Sequence, residues 1–153
     1  MAIEAPVSKF KKNNLKIYIA VCIGLAIWCT YDGYFNEEWI QEHTNADGTP
    51  KAYLVFNQKA PYFFAGAGVL LGIYLSVIRN KKLIADENDL VISAKEKIAY
   101  DSIQKINKTH FDSKGYFIIT YKSENGREVI RTISDKTYDN LQAILDHLVA
   151  KIS

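Results

Sequence analysis

Nineteen consecutive residues from Ala60 to Ile78, APYFFAGAGVLLGIYLSVI, carry no charge. As a helix they reach about 30 Å, the depth of a bilayer's hydrocarbon core, so the run predicts a transmembrane span over 60–78. Pro61 falls at the start of that span, where a missing N–H is harmless. Arg79-Asn80-Lys81-Lys82 ends it with three positive charges.

A second apolar block, Ile17 to Tyr31, is fifteen residues long. Snorkelling of Lys16 and continuation through Gly33-Tyr34-Phe35 extend it to a span over about 15–34. A basic stretch before an apolar core is also the form of a cleaved signal peptide. The residues before the two cysteines, Val21 and Ile27-Trp28, are not the small ones a lipoprotein-type cleavage site requires, and no small-x-small pattern follows. An uncleaved helix is therefore expected. Cys22 and Cys29 lie on one face of it, about 10 Å apart along the axis. That is too far for a mutual disulfide, and no His or carboxylate beside them suggests a metal, so they read as small apolar packing residues.

The formal net charge of the 153 residues is only +2, too little to suggest a nucleic-acid partner, but its distribution is informative. Lys9, Lys11, Lys12 and Lys16 precede the first block, and Arg79, Lys81 and Lys82 follow the second. The connection between them holds Asp32, Glu37, Glu38, Glu42 and Asp47 against Lys51 and Lys59. Basic flanks belong inside. Both termini are thus expected in the cytoplasm of a bacterial-type cell, with a multi-pass anchor over 1–82 in the inner membrane and an external loop over about 35–59. Tyr18, Trp28, Tyr31, Tyr34, Tyr62 and Tyr74 fall near the span ends, as interfacial aromatics do.

Gly68 and Gly72 form a GxxxG, and Ala20 and Gly24 repeat the spacing on the first helix, a pattern that lets helix backbones approach closely. It fits packing of the hairpin on itself, a homodimer, or docking on another membrane protein. In the loop, Phe35, Trp39 and Ile40 share a helical face, suggesting a short interfacial helix. Ala46-Asp47-Gly48-Thr49-Pro50 is a turn cluster, and 51–57 has strand-like composition.

Beyond Lys82 the long runs give way to short strands with turns: Leu83–Ala85, Leu90–Ile92, Lys95–Tyr100, a segment with Ile103 and Ile106, Tyr116–Tyr121 and Glu128–Ile133. Asn125-Gly126 is a two-residue hairpin signal. A closing amphipathic helix is expected to open near Ser134 or Asp135, with Tyr138, Leu141, Leu145, Leu148 and Ile152 on its apolar face. The fold class is therefore α+β, a two-helix hairpin followed by an antiparallel domain over 83–153.

Lys97-Ile98-Ala99-Tyr100-Asp101-Ser102-Ile103-Gln104-Lys105-Ile106 resembles the I-x-aromatic-x-x-I-x-x-I stretch of bacterial pleckstrin-homology-like domains. Two membrane helices followed by such a domain is similar to the bacterial membrane proteins of that group. The resemblance implies a small antiparallel barrel or sheet closed by a C-terminal helix, and an interaction role instead of a reaction.

No cofactor motif appears. His43, His110 and His147 are scattered, His110 and Asp112 read as a surface pair, and Ser102 beside Asp101 lacks a base. Neither a catalytic nor a metal site is expected. The reading is a non-enzymatic, membrane-anchored interaction or scaffolding module; the alternative is an accessory subunit of a larger membrane complex. Its partners are the bilayer and a membrane or cytoplasmic protein. Arg79, Lys81 and Lys82 are candidate membrane-surface contacts by their place at the span end, and Lys95 and Lys97 by their place in an early hairpin.

Overall fold

In the computed structural model, which describes residues 2–152, a strand close to the N-terminus pairs with one that follows both long helices. Ile3–Pro6 (β1) runs antiparallel to Lys82–Ala85 (β2), with Pro6 opposite Lys82. Everything between them is an insertion into a β-hairpin. It comprises Lys9–Thr30 (α1), a π-helical turn Tyr31–Phe35, Glu37–Glu42 (α2) and Ala52–Ile78 (α3). The chain divides into two compact units, one from Asn13 to Ser76, the other made of the stretch through Lys12 together with the chain from Val77 onward. The sequence places the start of the folded domain at residue 83. The structure adds β1 and the first turn of α1 to it.

In the helical unit, α1 with its π turn and α3 are each 27 residues of apolar helix. At 1.5 Å per residue each is about 40 Å long, enough to cross a bilayer. Residues 51–57, expected as a strand, are helical from Ala52. Their β-branched and aromatic content misleads because α3 continues through Pro61, which lies inside the helix and not at its start. The loop therefore shortens. It holds α2, whose first turn is capped when the Asn36 Oδ1 accepts from the Trp39 N–H at 3.2 Å, and a turn at Gly48 (φ +82°).

The second unit has two antiparallel sheets. Asp89–Ser93 (β3) and Glu96–Ala99 (β4) extend the first to the order β1-β2-β3-β4. After a 3-10 turn at Tyr100–Ser102, Ile103–Asn107 (β5), Tyr116–Lys122 (β6) and Glu128–Ser134 (β7) form the second. Phe111–Lys114 (α4) links β5 to β6 and ends on Gly115 in the left-handed conformation. The expected barrel does not close: β7 makes no ladder with the first sheet, and between its Arg131 and Glu96 of β4 there is a 3.0 Å ion pair instead.

Leu141–Ile152 (α5) buries Leu141, Ile144, Leu145 and Leu148, the i, i+3, i+4, i+7 stripe of an amphipathic helix, against β1, β2 and the 3-10 turn. With Leu83, Leu90, Ile98, Phe117 and Ile119 these form one core. The helix begins later than the sequence suggests because 137–139 is used elsewhere. Tyr138 bridges Val7, the Ser8 N–H donates to the Thr137 carbonyl, and the Asp139 N–H donates to the Pro6 carbonyl.

The Asn125-Gly126 turn also differs. Gly126 alone has positive φ, at +72°, its N–H donates to Ser123 O, and the Ser123 N–H donates to Arg127 O. This is a three-residue loop with a glycine bulge, not a two-residue turn with both residues left-handed.

Candidate functional site

Within the helical unit the contact face can be read from burial. Among the shielded positions, one run on α1 and its π turn comprises Leu15, Ile19, Cys22, Ala26, Cys29 and Gly33, and one on α3 comprises Leu54, Asn57, Pro61, Phe64, Gly68, Leu71 and Leu75, with Leu25, Ala60, Ala67 and Gly72 shielded beside them. Both sets alternate steps of three and four, the heptad pattern of two helices meeting along a seam. A Cβ built on Gly68 would lie 3.6 Å from the Cβ of Cys22. Gly24 and Gly72 have open space where their Cβ would stand, and Ala20 is exposed. Of the four small residues singled out by spacing, only Gly68 is on the seam. Gly72 is half-shielded, but it follows Gly68 by a second successive step of four after Phe64, which turns it about 40° further round the helix.

The tightest approach is at Gly33, which no motif marks. Its Cβ would come 2.9 Å from the Asn57 carbonyl carbon and oxygen. Asn57 is four residues before Pro61, so its carbonyl is the one that Pro61 has no N–H to satisfy. Side chains close the same place: Gln58 Nε2 donates to Gly33 O at 3.2 Å, and Tyr34 Oη donates to Gln58 O at 3.0 Å. Nearby, Asp32 accepts from Trp28 Nε1 at 2.7 Å and Asn36 Nδ2 at 3.1 Å. Most of the remaining helix surface is exposed and apolar, including Ile27, Trp28, Tyr62, Phe63 and Leu70.

In the folded unit, Ser8 anchors the start of α1. Fully buried, it accepts the Lys11 N–H at 3.1 Å as an N-cap and donates to Lys136 O at 2.6 Å. The Asp139 carboxylate accepts the Lys9 N–H at 3.1 Å, placing an anion at the helix's positive end. Of the basic residues expected at a membrane surface, Lys82 is ion-paired to Glu4. Arg79, Lys81, Lys95 and Lys97 are exposed.

Strand register shows where these residues stand. Pro6 faces Lys82, Ile84 faces Val91, and Ser93 faces Glu96. Extending the middle ladder by one step of two puts Lys82 beside Ser93. The β3–β4 turn with Lys95 is thus at the end of the sheet from which both long helices depart, and the β2–β3 turn at 86–88 is at the opposite end. A cleft of about 570 Å³ joins the β3–β4 turn to the β6–β7 hairpin, lined among others by Ala94, Lys95, Lys97, Lys122 and Glu124.

On the second sheet, register aligns Lys105, Thr120 and Ile130 in one row and Asn107, Ile118 and Thr132 in the next. The inner positions Phe117, Ile119 and Ile133 are buried while Ile130 is 67% exposed. These rows therefore make the outward face, β-branched and uncharged at its centre.

The histidines fall in separate places. His43 stacks on Trp39 with centroids 3.8 Å apart, and His110 stands by Tyr116. His147 Nε2 is 3.1 Å from Asp86 O, which also accepts from Tyr100 Oη at 2.7 Å. Among the described residues no three His, Cys, Asp or Glu side chains gather as a metal site.

Comparisons of the chain with protein-family models, curated proteins and solved structures give no match.

Proposed function

We propose that this chain is a membrane-anchored, non-enzymatic interaction module whose folded unit is held against the cytoplasmic face of the inner membrane. The observation that carries the reading is the insertion of two apolar helices between paired strands β1 and β2. Because the strands pair, the two ends of the hairpin belong on one side of any bilayer it crosses, in agreement with the basic flanks at both ends. The surface offered to a protein partner is the outer face of β5–β6–β7. Ile130, 67% exposed beside Thr120 and Thr132, puts an apolar side chain on a face where a sheet normally turns polar residues to water.

A photo-crosslinking residue replacing Ile130 in cells tests this. A single defined protein adduct, lost when Thr120→Lys is added, is expected. No adduct at Ile130, with adducts from the helices instead, favours a second reading, an accessory subunit of a membrane complex. That reading has its own support. A groove of about 520 Å³ between α1 and α3 is lined among others by Ala26, Tyr31, Phe35, Tyr62 and Ala65. Gly24 and Gly72 also leave room for a second copy or another membrane helix.

A further inference from the structure

We infer that the end of the folded unit from which both helices depart is a lipid-contact surface, and that the cleft between the β3–β4 turn and the β6–β7 hairpin receives the phosphate-bearing headgroups of anionic lipid. This rests on the reading that the helices cross a bilayer. Three observations carry it. The register sets Lys82, Ser93 and Glu96 in one row, so the turn with Lys95 belongs to the same end of the sheet as the helix exits. The cleft adds Lys122 from the second sheet to Lys95 and Lys97. Lys122 is far from Lys95 in the chain, and only the tertiary fold brings it to the β3–β4 turn.

The third observation is electrostatic. Three lysines and two acids line the cleft. Glu96 is ion-paired with Arg131 at 3.0 Å, which leaves Glu124 as the lining acid outside that pair, while Lys122 also stands opposite Glu128 in the β6–β7 ladder. The net charge of residues 83–153 is slightly negative, so the attraction is local to this end and not a property of the whole unit. Anionic lipid fits better than an acidic protein, since the short exits at Val7-Ser8 and Arg79–Lys81 hold this end close to headgroups whenever the helices are inserted.

The test uses the full chain in nanodiscs, in a Cys22→Ala, Cys29→Ala background, with a spin label on Leu70→Cys, Ala94→Cys or Asn88→Cys. The discs are phosphatidylcholine with or without phosphatidylglycerol. The Leu70 label is expected in hydrocarbon in both. The Ala94 label is expected at headgroup depth with phosphatidylglycerol and to retreat without it or in high salt. The Asn88 label, at the opposite end of the sheet, should stay aqueous. Combining Lys95→Glu, Lys97→Glu and Lys122→Glu should release the Ala94 label, lowering its contact population by at least about a hundredfold, counting roughly fivefold for each lysine lost and nothing for the new carboxylates. An aqueous Ala94 label in phosphatidylglycerol discs, or contact that survives the triple charge reversal, overturns the inference while the Leu70 label still supports membrane spanning. An aqueous Leu70 label overturns the reading beneath it.

Discussion

Gly33 and Gly126 need glycine for different reasons, and their substitutions separate the two units. At Gly33 the constraint is space, because a methyl group would press on the Asn57 backbone at 2.9 Å. Gly33→Ala should force the helices apart and destabilise the pair by about 1–3 kcal/mol. Gly24→Ala, with open space around it, should change stability little in the same detergent unfolding measurement. At Gly126 the constraint is backbone conformation, so Gly126→Val should lower the stability of the folded unit by about 1–3 kcal/mol. Tyr100 adds a pH dependence. Burial, helped by the Asp86 and Asp89 carboxylates, pushes its phenol up to about 12. The fold favours the neutral form, and the unfolded chain ionises near 10. This contribution is therefore complete below pH 10 and is lost as pH rises toward 12. Tyr100→Phe should flatten that alkaline decline in thermal melts. It should also reduce neutral-pH stability by about 1 kcal/mol, because Asp86 O loses a donor.

At the scale of elements, what the sequence revealed depended on how local the cause was. An uninterrupted apolar run announces a helix without reference to anything else, and α3 was legible from residue 60 onward for that reason. Its first turns were not, since Tyr53, Val55 and Phe56 have strand composition and Pro61 looks like a start. The β6–β7 hairpin was legible from Asn125-Gly126, although its loop type was not. Strand β1 was hidden: four residues ending in proline carry little pattern, and their partner lies on the far side of both helices. With β1 hidden, the capping role of Ser8 was hidden too. Only the fold brings the Lys136 carbonyl to its hydroxyl. Ser8→Ala should cost about 1–2 kcal/mol, by losing the cap and leaving that carbonyl unpaired. Ser102→Ala, whose hydroxyl bonds only the local Ala99 carbonyl among the described contacts, should cost less in the same melt. Of the surface contacts, Arg79 and Lys81 could be picked out by their place in the chain, whereas Lys122 required the two sheets to be folded together.

The chain as a whole is proposed to be a β-hairpin that carries a membrane hairpin in place of its turn. Two consequences are separable by labelling: residues before α1 and after α3 share one side, and the connection between the helices is on the other. Single cysteines at Ala2, Thr49 and Ser113, all exposed, report on these three places in a Cys22→Ala, Cys29→Ala background. With a membrane-impermeant thiol reagent applied to intact spheroplasts, Thr49→Cys alone should react, and Ala2→Cys and Ser113→Cys should react only after the membrane is opened. Labelling of Thr49→Cys and Ser113→Cys from the same side, or of Ala2→Cys and Ser113→Cys from opposite sides, would contradict the claim.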